Sequence, residues 1–483
     1  MSKTVSEINK KIAAGTVRVV RADEMTGIVR ELGPERAAEE VDVVTTGTFG
    51  AMCSSGAWFN FGHSEPPIKM IRVWLNDVEA YAGVAAVDAY LGATQPSTLL
   101  GIRYGGAHVI EDLLRGRPVV LRAVSYGTDC YPSKSIVTRL TLDDLDFAVL
   151  SNPRNAYQRY NAATNTSGRT LKTYMGTLLP NAGNVAFSGA GELSPLMNDP
   201  DLETIGVGTR IFLGGAPGFV TGAGTQHNPG ALMSTLMVQG DLKGMSPEFV
   251  RAASFPNYGC SLYLGIGIPI PVLNARIAQK TGIADADIET NILDYAVPSR
   301  NRPVLRKTTY AELKSGGVEI AGRTAKTAPL SSYAKARQVA ETLKAWIRAG
   351  SFTLTEPVDK LPRTNAPRGL ERRPIPPDVG APGDSTAAGA PGFAGGFTSA
   401  AKARPLTPEI ADAAPTEEQS AERVVLDVDI CVQCGQCLSL CPESVFIHDA
   451  DWSIRAFPEL CRACGVCVGA CPVGALRLGR RRT

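Results

Sequence analysis

Two stretches near the end of the chain, CVQCGQCLSLCP from Cys431 and CRACGVCVGACP from Cys461, share the form C-x-x-C-x-x-C-x-x-x-C-P. Short loops of small residues let several thiolates and backbone N–H groups face one inorganic cubane, and the proline ends each turn without needing a donor partner. In such a run three cysteines hold one cluster and the fourth crosses to the other. Cys431, Cys434, Cys437 and Cys471 are therefore expected to hold one [4Fe-4S] cluster, and Cys461, Cys464, Cys467 and Cys441 a second. A pair of zinc knuckles would use C-x-x-C pairs at longer separations, and two four-cysteine runs ending in Pro do not fit it. Two such clusters can together supply two electrons, one at a time.

Three of the 11 cysteines lie far from these runs, at Cys53, Cys130 and Cys260. An odd number of scattered thiols is a poor disulfide framework, whereas metal-bound and free thiols fit a cytosolic protein. VDVVTTGTFGAMC ends at Cys53 and PVVLRAVSYGTDC ends at Cys130. Each is a strand-like run, a polar turn and an aromatic-Gly-x-x-Cys step. A helix starting at either cysteine would lower its thiol pKa and favour the thiolate, while a buried structural cysteine is the plainer alternative. Cys260, in NYGCSLYLGIG, reads as a core thiol. Cys53, Cys130 and Cys260 holding a third cluster is a sharper alternative. His63 and His108 are candidate acids, bases or thiolate-orienting groups, and Arg103 and Arg122 candidate clamps for a substrate carboxylate, each set against an ordinary structural or surface role.

These residues need a scaffold. From residue 1 to about 360 the pattern is α/β or α+β. Runs rich in β-branched residues (VDVVTT, RPVVLRAVS, RIFLGG) alternate with helical patterns such as TGIVRELGPERAAEEV. SSYAKARQVAETLKAWIRAG predicts one helix, capped by Ser331 or Ser332, with Val339, Leu343, Trp346 and Ile347 on its apolar face and Gly350 ending it. Residues 361–422 read as a flexible linker, because Ala, Gly and Pro fill 25 of the 42 positions from 374 to 415. Residues 423–483 then form a small ferredoxin-like α+β domain. FLGGAPGFVTGAGTQHNPG contains neither G-x-G-x-x-G nor a P-loop and reads as turns lining a pocket; H-E-x-x-H and G-x-S-x-G are absent as well.

The 483 residues carry 44% apolar and 20% charged side chains and a net charge of +2, which gives no ground for nucleic acid or membrane as the main partner. The opening MSKTVSEINKKIAAG has no apolar core of a secretory signal. The longest apolar stretch, CSLYLGIGIPIPVLN, is short for a bilayer span and broken by Gly and Pro. A cytoplasmic location is expected, and self-association into a homo-oligomer is left open.

TTGTFGAMCSSGAWFNFGHSEPPIKM, YGGAHVIEDLLRG, SYGTDCYPSK, NPRNAYQRYNAATN and FLGGAPGFVTGAGTQHNP together resemble the homocysteine biosynthesis family of methanogens and various bacteria. The resemblance runs over nearly all of residues 5 to 360. It implies an L-aspartate semialdehyde sulfurtransferase activity, a small aldehyde and a sulfur donor as substrates, a low-potential electron donor, and a ferredoxin-type partner that is here fused. It places the family's two functional cysteines on Cys53 and Cys130. A related branch with a ferredoxin tail has been proposed to act on sulfoacetaldehyde in coenzyme M formation. The redox arithmetic agrees independently: an aldehyde and sulfide take two electrons to reach a thiol and water, and persulfide sulfur takes four. A ferredoxin-linked dithiol oxidoreductase without sulfur transfer, and a non-catalytic electron-delivery or scaffold protein, are the readings of other classes.

Overall fold

The computed structural model describes residues 2–297, 302–365, 369–371, 422–428 and, from 431 to 480, all but 432–436, 438–440, 442, 444, 449–453, 462, 464, 466, 469–470 and 472–473. The expected linker segment 374–415 and the cluster cysteines Cys434 and Cys464 lie outside the described residues. The large body extends past 360: Leu361 is buried, the Pro362 carbonyl meets His227 Nε2 at 3.0 Å, and Asn365 Nδ2 donates to the His227 carbonyl at 2.9 Å.

The body is built on a nine-stranded sheet, two six-stranded sheets and a three-stranded sheet, with helices packed against them. Pairing is mostly antiparallel. Parallel pairs occur where Val19–Arg21 meets Val43–Thr45, where Ala162–Thr164 meets Glu289–Asp294, and where Asn184–Phe187 meets Arg323–Pro329. The alternating apolar runs thus settle as α+β, each sheet turning one face to a helix or another sheet. The helix expected from TGIVRELGPERAAEEV spans Ala22–Glu40 and is broken at Gly33, where φ is 76° and the next residue, Pro34, has no N–H to give.

The site is set by the strand Thr48–Ala51, which pairs antiparallel with Gly259–Gly267, itself paired with Val250–Phe255. The helix Tyr333–Arg348 lies directly on this strand. A Cβ at Gly47 would come within 2.1 Å of the Ala336 carbonyl oxygen, so the TGTFG glycine there is what lets helix and strand touch. Ser332 caps this helix by accepting from the Lys335 N–H, and Val339, Leu343 and Ile347 are fully buried. Trp346 is only partly buried, packed on Phe212 at 5.0 Å, and Gly350 ends the helix at φ 75°. Ser331, the other expected cap, turns away to Ser188 Oγ and to the Gly189 N–H.

In the C-terminal module Glu422–Leu426 pairs with Leu476–Arg480 and Phe446–His448 with Ile454–Ala456, both antiparallel. Its buried residues, including Cys437, Cys467 and Cys471, join one apolar cluster with Phe49, Ala253, Phe255 and Tyr263 of the body. The module is packed on the body.

Candidate active site

Cys53 follows the strand Thr48–Ala51 in a turn that returns as Gly56–Asn60. The turn is fixed by the Ser55 N–H donating to the Met52 carbonyl at 3.0 Å and by buried Asn152 Nδ2 donating to Ser55 Oγ at 2.8 Å. Cys53 is half-buried, with Sγ 3.2 Å from Ser261 Oγ. Cys130 is exposed, in the turn joining Val119–Val124 to Ser135–Leu140 in a different sheet. No helix begins at either cysteine.

The surroundings of Cys53 are rich in tyrosine and arginine. Burial raises the Tyr157 and Tyr258 phenols above the ordinary range, and the negative charge of a Cys53 thiolate raises both further. The Arg154 guanidinium, 5.9 Å from the Tyr157 ring, opposes this at both tyrosines. The rings continue from Tyr157 to Tyr160 at 5.1 Å, to Tyr174 at 6.4 Å, and from Tyr174 to Tyr258 at 6.1 Å and Tyr295 at 5.9 Å. Arg302 closes this group: its Cζ lies 3.7 Å from the Tyr295 ring centroid and its Nη1 donates to Tyr174 Oη at 3.2 Å. Burial opposes ionisation of Tyr174, but hydrogen bonds from Tyr160, Tyr295 and Arg302 outweigh it and bring its phenol below the usual range. Tyr160 and Tyr295 are pushed up, by burial first and then by Tyr174. Arg302 on the proton-sharing phenols and Arg154 on Tyr157 give the tyrosine group two cations, a setting that can receive a short anionic molecule.

The other sequence candidates lie elsewhere. His63 is exposed in the loop after Gly56–Asn60, within electrostatic reach of Asp88. Arg103 is exposed and turns back to the Leu100 carbonyl at 3.4 Å. Arg122 and Arg72 flank Trp74, each 4.6 Å from its ring, on an outer sheet face. His108 is an internal group: Nδ1 accepts from the Gly105 N–H at 3.1 Å, Nε2 lies 3.5 Å from Ser254 Oγ, and the ring stacks on Tyr104. Burial pulls its pKa down to about 4, so it is neutral and has its partners within the fold. Cys260 is buried, as its apolar neighbours imply, with Sγ donating to the Ile102 carbonyl at 3.1 Å. Cys260 and Ser261 are successive strand residues and point to opposite faces; Cys53 is on the Ser261 face. The three scattered thiols therefore do not converge, and among the described residues no three His, Cys, Asp or Glu side chains form a ready metal cradle.

The module's thiols suit iron–sulfur ligation in type and setting. Cys437, Cys467 and Cys471 are buried, while Cys431, Cys441 and Cys461 are half-buried. Backbone N–H groups point at sulfur, Ala463 to Cys461 Sγ at 3.3 Å and Ala475 to Cys471 Sγ at 3.1 Å, as a cluster-bound thiolate requires.

Sequence reasoning missed Arg154, Tyr157, Tyr160, Tyr174, Tyr258, Tyr295, Arg302 and Ser261. The one available signal was the run of Arg154, Tyr157 and Tyr160 at steps of three in NPRNAYQRY.

A strand-end thiol within electrostatic reach of phenols, on a body that packs against a cysteine-rich module, fits an enzyme of sulfur chemistry. The chain belongs to the family described as homocysteine biosynthesis enzymes of sulfur incorporation, whose model matches residues 17–354, and residues 423–472 match a 4Fe-4S dicluster domain. An L-aspartate semialdehyde sulfurtransferase of Methanosarcina acetivorans is 60% identical over 379 residues, 78% of this chain and 76% of that protein. A protein of the same name from Methanocaldococcus jannaschii is 58% identical over 75% of this chain and 74% of its own length. An uncharacterized protein of Methanothermobacter thermautotrophicus is 33% identical over 66% of this chain and 73% of its own. No described helix is long and apolar enough to cross a membrane.

Proposed function

We propose that this enzyme inserts sulfur reductively into L-aspartate semialdehyde to give L-homocysteine, with electrons delivered by two [4Fe-4S] clusters in its own C-terminal module. With sulfide the balance is R-CHO + H2S + 2 e⁻ + 2 H⁺ → R-CH2-SH + H2O; with persulfide sulfur, four electrons and four protons are taken up. The observation that carries the reading is the Cys53 thiol within electrostatic reach of Tyr157 and Tyr258, whose rings lead through Tyr160 and Tyr174 to Arg302 and, at Tyr157, to Arg154. When sulfur arrives as persulfide, Cys53 takes it as Cys53–S–SH and releases the donor's thiol, and that outer sulfur adds to the aldehyde carbon. When it arrives as sulfide, the Cys53 thiolate itself adds to the carbonyl carbon, the oxygen leaves as water, and sulfide then displaces the Cys53 thiolate from that carbon with no change in sulfur oxidation state. The arginines bind the substrate's carboxylate, and the phenols hold protons where the carbonyl oxygen leaves as water. Cys130, exposed to solvent, is the second thiol of the exchange and resolves an S–S bond to Cys53 when sulfur arrives as persulfide. His63 and Arg103, both exposed, are not needed for this assignment.

The test is anaerobic assay of the cluster-loaded chain with isotopically labelled sulfide, a low-potential reductant, and either aspartate semialdehyde or sulfoacetaldehyde. Labelled homocysteine is expected. Product from sulfoacetaldehyde alone would move the substrate to the other anionic aldehyde, and reduction without label in any thiol would leave a dithiol oxidoreductase.

A further inference from the structure

Cysteines of both expected sets join the apolar cluster shared with the body, but the polar contact and the cavity wall described at the seam involve two cysteines of one set. Arg251 Nη2 donates to the Cys471 carbonyl at 2.5 Å. Cys431 forms part of the wall of a cavity of about 770 Å³, opposite Phe187, Ser331, Ser332 and Tyr333 of the body. Arg251 is held from behind: its Nε meets Glu111 Oε1 at 3.0 Å, and Glu111 also pairs with Arg115 Nε at 2.8 Å and accepts from the Ala252 N–H at 2.7 Å. Register ties this seam to the thiol. Arg251 lies opposite Tyr263 and Ala253 opposite Ser261, whose hydroxyl is 3.2 Å from Cys53 Sγ. Arg251 and Ala253 are one same-face step apart on their strand, roughly 7 Å. The seam and Cys53 therefore share one face of one sheet.

Resting on the function proposed above, we infer that Cys431, Cys434, Cys437 and Cys471 form the exit set, from which electrons reach the Cys53 site. Cys461, Cys464, Cys467 and Cys441 form the entry set, which takes them from the external low-potential donor. Arg251 is the positioning residue that holds the exit set to the body. Two one-electron transfers in succession reduce one aldehyde and one sulfide to one thiol and one water, and the donor is oxidised by two electrons.

The full chain is used throughout, with the midpoint potential of the remaining cluster read by EPR-monitored titration. In a Cys464→Ala background, which leaves the exit set, Arg251→Ala lowers that potential, because a cation beside the Cys471 backbone is lost. Arg251→Lys, which keeps the charge, lowers it less. In a Cys434→Ala background Arg251→Ala leaves the potential where it was. A shift confined to the Cys434→Ala background, or absent from both, overturns the inference. Arg251→Ala leaves Glu111 paired with Arg115, which favours folding. Should it still not fold, turnover with a chemical reductant carries the test: Cys434→Ala loses more than Cys464→Ala, and the reverse order overturns the assignment. If the parent chain makes no thiol, the proposed function fails, while the potential shift still reads which set meets Arg251.

Discussion

Cys53 and Cys130 each end an apolar strand with an aromatic-Gly-x-x-Cys step, yet one packs half-buried against Ser261 in the large sheet and the other lies exposed in a hairpin turn of a smaller one. The local signal sets the turn and leaves the surroundings open. Around Cys53 those surroundings come from strands and loops far along the chain: Ser261, Tyr258, and the group that links Tyr174 to Arg302 across 128 residues. What distinguishes the two settings is supplied by tertiary pairing.

The largest expected effect tests that distinction head-on. Cys53→Ser should lower thiol formation on the order of 10³-fold or more, with the fold and iron content kept, because the variant loses the nucleophile. With sulfide as donor, Cys130→Ser should keep turnover close to the parent's, since sulfide leaves no S–S bond for a resolving thiol to break. Product formation by both variants, with mass spectrometry for added sulfur on each cysteine peptide, reads the result. Equal losses would erase the contrast drawn here.

Arg302→Gln removes a cation from the tyrosine group that Tyr258 links to Cys53. A charged hydrogen bond contributes about 1.5–3 kcal/mol, so kcat/KM for the aldehyde should fall roughly 10- to 100-fold, mostly through KM. An unchanged KM would mean that the tyrosine–arginine group is not the carboxylate site. Arg122→Gln, on the outer face beside Trp74, serves as the control and should leave KM unmoved.

The module's cysteine runs, the capped helix with its Val339–Leu343–Ile347 stripe, and the burial of Cys260 were legible from the sequence because each is set by neighbours within a few residues. His108 was not. Its glycine-rich setting in YGGAHVIEDL fits an acid–base residue as readily as the internal bond to the Gly105 N–H that it makes. The Tyr174–Tyr295–Arg302 group was invisible for a stronger reason: its members sit on elements brought together only by sheet formation, and nothing local marks one tyrosine from another.

His108 also gives a pH signature on the structural side of the contrast. Its folded pKa is depressed to about 4 by burial, below the value of 6.5 for a free imidazole. The unfolded chain therefore binds the extra proton first. Stability is fully present above about pH 6.5 and falls as pH drops toward 4, by up to roughly 3 kcal/mol. Urea unfolding across that range should show the fall, and His108→Gln should flatten it; an identical slope in the variant would assign the acid lability to other groups. The smallest effect is expected at Cys260→Ser, where a hydroxyl can still donate to the Ile102 carbonyl: about 1 kcal/mol of stability lost to polar burial, with turnover kept. A large loss of turnover there would return Cys260 to the chemistry.

The hydrogen bond from Arg251 to the Cys471 carbonyl joins two parts of one covalent chain, so its formation is unimolecular. A separate electron carrier must find its enzyme at a rate set by the concentrations of both, and it is outcompeted when other acceptors are abundant. A tethered module faces its site at an effective concentration in the millimolar range however dilute the protein is. A single patch of contact can then suffice where two free proteins would need a full interface. The proposed step from module to thiol would therefore be first order in enzyme alone, with dilution slowing only the arrival of electrons from outside.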